Sequence, residues 1–241
     1  MTMFDFLTSA QRYWLIGLLI LWAAFLFGGF VLGSGERRMP TWTRMVSSAI
    51  LVLAAWSWFI VNGGSFSLLL ALGMTLGLGG DLWLAGVLPF GRSVIGGIVA
   101  FGIGHVFYIS AILTFGNQNG LNEPSARWGA TAVWLLIGLI GWYVVVYRGQ
   151  EVTALHWAAL PYALLLSSTA GLATSLALQS SHFVPMAIGA ALFLLSDLIL
   201  AGELFSGLQF PLIGDVIWLT YGPGQALIVY AASVAHYFGN P

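Results

Sequence analysis

Eight apolar runs, each about as long as a bilayer is thick, leave this chain few ways to fold. A crossing helix needs about 20 mostly apolar residues. Inside hydrocarbon there is no water to bond the backbone, so each crossing segment must satisfy its own N–H and C=O groups. The runs lie near residues 13–32, 45–61, 66–88, 94–115, 129–147, 154–178, 183–204 and 216–237. They predict an all-α polytopic membrane protein of eight transmembrane helices, forming one integral membrane domain over 1–241. Charged residues are 6% of the chain, against roughly 25% in soluble domains. Too few polar groups exist to cover a soluble surface, and so apolar a chain is not disordered. Asp5 ahead of the first run, and the run's length, argue against a cleaved signal peptide.

The few charges that exist orient the chain. Arg37, Arg38, Arg44, Arg92 and Arg148 fall at the ends of runs one, three, five and seven, and only Arg12 and Arg127 on the other side. Five against two places the first group in the cytoplasm, with both termini outside a cell (inner) membrane. A net charge of -1 argues against a nucleic-acid partner. Without cysteine there is neither a disulfide framework nor a thiolate metal site. No histidine spacing marks a metal site either, and the residues call for no cofactor. Membrane lipids are the surrounding partner, and oligomeric state is not encoded in any visible motif.

Two runs share a motif. Asp81-Leu-Trp-Leu-Ala-Gly86 and Asp197-Leu-Ile-Leu-Ala-Gly202 agree at five of six positions, 116 residues apart. The offset is four spans, so both copies cross in the same direction, as in two parallel four-helix halves. An aspartate at the centre of a span costs roughly 2.5–3.5 kcal/mol on an insertion scale. Two such costs at one expected depth point to a shared polar site, against the plainer role of a buried Asp bonding a neighbouring helix. His105 and Tyr108 share a helix face at i and i+3, as do Tyr221 and Gln225 at i and i+4. The spacing of 24 residues recurs between Asp81 and His105 and between Asp197 and Tyr221. Each half is therefore expected to supply a carboxylate and its partner to one cavity. Gly222-Pro223-Gly224 is expected to loosen the last helix beside Tyr221, whereas Gly73 and Gly77 read as helix-packing residues. Glu203 stands near the end of run seven. Ser196 lacks the Gly-x-Ser-x-Gly setting of a nucleophile.

At these motifs the chain resembles the YhhN-like lysoplasmalogenase family. Leu76-Gly-Leu-Gly-Gly-Asp-Leu-Trp-Leu84, with Phe101 through His105 to Tyr108, is similar to the family's Gly-Asp segment and His-x-x-Tyr helix. Gly189 to Asp197, with Leu200-Ala201, resembles its Ser-Asp segment, and Tyr221 with Gln225 its last-helix pattern. The Gly-Pro-Gly insertion in the last helix departs from the smoother helix expected there. The resemblance implies hydrolysis of the vinyl ether bond of a lysophospholipid, giving a fatty aldehyde and a glycerophospho-base. It implies Asp81 and Asp197 as the catalytic pair, one as acid and one as carboxylate, much as in glycoside hydrolysis. His105, Tyr108, Tyr221, Gln225, Glu203 and Ser196 would orient them, the water or the substrate, and Arg92 would meet the phosphate. From the residues alone a proton-coupled transporter, a lipid-binding scaffold and a hydrolase of another lipid remain open.

Overall fold

The computed structural model describes residues 6–35, 38–89 and 91–238. Asp5 and Arg37, used above, lie outside the described residues. Every regular element in the described residues is helical: α1 Ser9–Leu32, α2 Thr41–Asn62, α3 Gly64–Ala85, α4 Val94–Gln118, α5 Pro124–Gly141, α6 Ala154–Gln179, α7 Val184–Phe205 and α8 Ile213–Tyr230. A π-helical turn, Trp142–Tyr147, extends α5, and a 3-10 segment, Ala231–Phe238, follows α8. Seven of these helices are long and apolar enough to cross a membrane. The eighth, α8, carries Asp215, Tyr221, Pro223 and Gln225. It tolerates them because Asp215, Tyr221 and Gln225 are all buried within the bundle.

Burial runs opposite to that of a soluble protein. Ile60, Leu32, Leu178 and Val31 face outward, whereas Ser48, Asp81, His105, Thr169 and Gln225 are inside. The chain is thus a multi-pass membrane protein, and polar groups such as Ser48 and Asp81, or Tyr108 and Gln225, bond one another across helices.

The helices pack in chain order, α1 on α2 on α3 on α4, and α5 on α6 on α7 on α8. The halves join where α2 meets α8 and α4 meets α6. Exchanging α1–α4 with α5–α8 carries each of these packings onto another. Two close crossings follow the exchange: Gly73 and Gly189, one in each, are themselves 116 residues apart. A Cβ on Gly104 would stand 3.1 Å from the Gly73 carbonyl, and one on Gly189 would stand 2.7 Å from that of Gly224.

Several boundaries differ from the apolar runs, each for a local reason. α2 begins at Thr41, because Pro40 accepts the Thr43 hydroxyl at 2.8 Å and stands at the N-cap. Arg44 is therefore in the first turn of a helix, not in a loop. α3 stops at Ala85, where Gly86 turns left-handed (φ 70°) and its N–H closes on the Leu82 and Trp83 carbonyls. α5 starts at Pro124, since the Glu123 carboxylate accepts the Ser125 and Ala126 N–H groups. Those bonds, with that of the Ser125 hydroxyl, hold the Glu123 carboxyl below the usual carboxylate range. Finally, α8 runs unbroken through Gly222-Pro223-Gly224 and gives way only at Ala231. The expected loosening beside Tyr221 does not occur.

Asp215 ties α8 to the loop before α2. Its two oxygens accept the Arg38 and Met39 N–H groups, each at 2.8 Å, and the side chain is buried. Asp215→Ala leaves both donors without that acceptor. It should destabilise the protein by about 1.5–3 kcal/mol, read as a lowered thermal unfolding midpoint in detergent.

Candidate functional site

Asp81 and Asp197 line one cavity of about 220 Å³ among α2, α3, α4, α7 and α8. Its outer part is formed by residues at helix ends: Thr41 and Arg44 of α2, Arg92 of the α3–α4 loop and Glu203 of α7. Its inner part holds the two carboxylates with Phe101, Trp218 and Tyr221. Asp81 lies four residues before the end of α3, about 6 Å of rise. Asp197 lies eight before the end of α7, about 12 Å. Asp81 is thus nearer its helix end than Asp197 is, because α3 ends three residues earlier than the apolar run suggests.

Each aspartate is held by a hydroxyl from the helix before its own. Ser48 of α2 donates to Asp81 Oδ2 at 2.5 Å, and Tyr162 of α6 donates to Asp197 Oδ2. Asp81 Oδ2 also accepts the Tyr221 hydroxyl at 3.0 Å. Behind it, Gln225 Nε2 donates to Tyr221 at 3.1 Å, and Tyr108 donates to Gln225 Oε1 at 3.0 Å. A relay of α4 and α8 residues thus ends on Asp81 and fixes its carboxylate plane. Bonds between neutral groups, as in the relay, are worth roughly 0.5–1.5 kcal/mol each, and bonds to an ionised carboxylate roughly 1.5–3. Asp197 has the lighter restraint: among the described residues, besides Tyr162, only Ser196 donates to it, at 3.3 Å, and Ser196 also bonds the Phe193 carbonyl.

The pairing crosses the halves in one direction. Tyr221 joins Asp81 rather than Asp197, so the recurring spacing of 24 does not mark bonded partners. His105 donates to neither carboxylate; its Nδ1 meets Thr169 Oγ1 of α6 at 2.9 Å. Its ring packs edge-on against Phe193 at 4.6 Å. Of the residues expected here, Tyr221, Glu203 and Arg92 line the cavity with the aspartates. Tyr108 and Gln225 stand one bond or two behind, and His105 and Ser196 belong to the packed wall. Gly73 and Gly77 do more than let helices approach. A Cβ on Gly73 would enter the Tyr108 ring, and one on Gly77 would stand 2.8 Å from Gln225 Nε2. Both glycines make room for the relay.

Ser48, Tyr162 and Trp218 were not singled out in the sequence, and Arg44 was read there only as an orienting charge. Arg44 extends over the Trp218 ring, 5.4 Å from its centroid, and bonds Thr41 Oγ1 at 3.0 Å. An arginine stacked on tryptophan keeps its charge while its stem stays in apolar surroundings. With Arg92 it sets two cations against the one carboxylate of Glu203 at the mouth of the cavity, a net positive balance. No group of three or more His, Asp or Glu side chains among the described residues is arranged to hold a metal ion.

Comparison with known proteins adds one result. Searches of the curated proteins and of the solved structures found no match. A family model described as the YhhN family matches residues 39–232, from the start of α2 through the end of α8, including both aspartates and the relay behind Asp81, and the chain belongs to that family.

Proposed function

We propose that this protein is a membrane hydrolase that cleaves the vinyl ether bond of a lysophospholipid, releasing a fatty aldehyde and a glycerophospho-base. The observation that carries the reading is the cavity itself: two carboxyls inside the bundle, in one space, with two arginines at its mouth. Vinyl ether cleavage proceeds by protonation of carbon to an oxocarbenium ion, addition of water and collapse of the hemiacetal. One carboxylic acid and one carboxylate on the same atoms suit that sequence. The arginines supply the contact for a phosphodiester. Tyr221, Gln225 and Tyr108 orient Asp81, and Tyr162 orients Asp197. The arginine distribution supports placing this mouth on the cytoplasmic side, with both termini outside.

The test uses purified protein in detergent. It is offered a lysoplasmalogen and, separately, the matching lysolipid with an ester-linked chain. Aldehyde from the first and no fatty acid from the second is the expected result. Fatty acid from the ester would make it a hydrolase of another kind. Neither product from folded protein would remove hydrolysis and turn attention to uptake by sealed vesicles.

A further inference from the structure

A second, apolar space adjoins the cavity and meets it at one of the two aspartates. This slot, about 70 Å³, lies among α4, α6, α7 and the π-helical turn after α5. Ile98, Trp142, Ala163 and Ala201 are among its walls, and almost nothing polar enters it except Asp197 and Tyr162. Leu84, Phe101, Leu200 and Leu204 line both spaces, so the two share a wall of apolar side chains. Asp197 also lines both, whereas Asp81 lines only the polar cavity.

We propose that the slot takes the first carbons of the substrate's alkenyl chain, the remainder lying in the bilayer, and that Asp197 is the residue that protonates it. The inference rests on the vinyl ether reading above and assigns roles within it. A lysoplasmalogen has the same division as the two spaces: a charged head, an ether oxygen, then an apolar chain. With the head against Arg44 and Arg92 and the first chain carbons in the slot, the ether stands at the shared wall, beside Asp197. The carbon that must be protonated is one bond further along the chain than the carbon attached to oxygen. It is therefore on the slot side, where only Asp197 of the pair is present. Water arrives from the polar cavity, where Asp81 stands.

The proton balance closes. Asp197, as the acid, forms the new C–H bond, and the double-bond electrons shift to leave an oxocarbenium ion. Water adds to the carbon bearing oxygen and gives its proton to the Asp81 carboxylate, forming the hemiacetal. The hemiacetal hydroxyl then returns its proton to Asp197 as the carbonyl forms. Asp81 protonates the departing glycerol oxygen as the C–O bond breaks, and both groups regain their starting states.

Two measurements test the assignment. Ala163→Leu and Ala201→Leu each place three more carbons in the slot from a different helix. Each is expected to lower the ratio of kcat/KM for a long alkenyl chain over an unsubstituted vinyl group by about 10-fold or more. An unchanged ratio in both variants, with thermal midpoints showing them folded, overturns the slot. In D₂O, protonation without water addition is reversible and leaves deuterium on the vinylic carbon of recovered substrate. Asp81→Asn is expected to give this exchange, and Asp197→Asn to reduce it by at least about 10²-fold. Exchange kept with Asp197→Asn, or lost with Asp81→Asn, overturns the proton assignment. A wild-type protein that releases no aldehyde from either substrate fails at the hydrolysis reading itself, before these comparisons begin.

Discussion

Asparagine at either position 81 or 197 should abolish aldehyde release while leaving the protein at least as stable as before. General acid–base groups contribute about 10²–10⁴-fold each, so each single variant should fall by that order. The double variant should fall little further, since the two groups act on one reaction path. The stability half of the prediction follows from burial. A carboxylate inside the bundle is expensive to desolvate, and a neutral amide of the same shape is less so. The Asn Oδ1 can still accept from Ser48 and Tyr221 at position 81, or from Tyr162 at position 197. Aldehyde release beside a thermal melt in the same detergent therefore separates two roles. If the carboxylates only bound helices together, activity and midpoint would fall in step. Near-normal turnover in either variant would remove that residue from the chemistry.

Gly189→Leu should prevent the protein from reaching its folded state. A Cβ there meets the Gly224 carbonyl at 2.7 Å, Leu227 Cβ at 2.8 Å and the Ile228 nitrogen at 3.2 Å. Two of those three are backbone atoms of α8, which cannot turn aside as a side chain can. Relief requires α8 to move off α7, and α8 carries Tyr221 and Gln225 with it. Overpacking costs about 1–3 kcal/mol where side chains can adjust, occasionally more, and here little can. Gly189→Ala should already lower the midpoint measurably. Gly17→Ala is the contrast: it has open space around it in the middle of α1. Replacing a helical glycine by alanine gains up to about 1 kcal/mol where nothing is in the way, so its midpoint should hold or rise. Detergent melts of the three variants, with monodispersity on a sizing column, check both directions.

Much of the fold was legible because hydrocarbon is a demanding solvent. A run of about 20 apolar residues has few alternatives to a helix, so the all-α bundle followed from the runs. The aspartates were legible for the same reason, since each is costly where it stands. Ser48 and Tyr162 were not, although they bond those aspartates directly. Hydroxyls are common in such helices, and only the packing of α2 on α3 and α6 on α7 marks these two. Arg44 was placed in a loop because its charge interrupts an apolar run; stacking on Trp218 and bonding to Thr41 let α2 begin a turn earlier. The spacing of 24 misled in a different way. It suggested partners within each half, but α8 lies against α2 and α3 of the other half, so Tyr221 reaches Asp81. His105, at the same spacing from Asp81, meets Thr169 of α6 instead. Which helices become neighbours is set by crossings such as Gly73–Gly104 and Gly189–Gly224, and a glycine in a membrane helix does not announce what it will approach.

The cavity mouth lies at one end of the bundle only, beside Arg44, Arg92 and the α7 terminus. A lipid head bound there belongs to a single leaflet, because a headgroup does not cross the hydrocarbon to enter from the far side. In a sealed vesicle with the protein inserted in one direction, only the lysolipid of that leaflet is directly available. The remainder would be used at the rate at which it flips. The fraction consumed quickly would thus report how the lipid is distributed between the two faces of the bilayer.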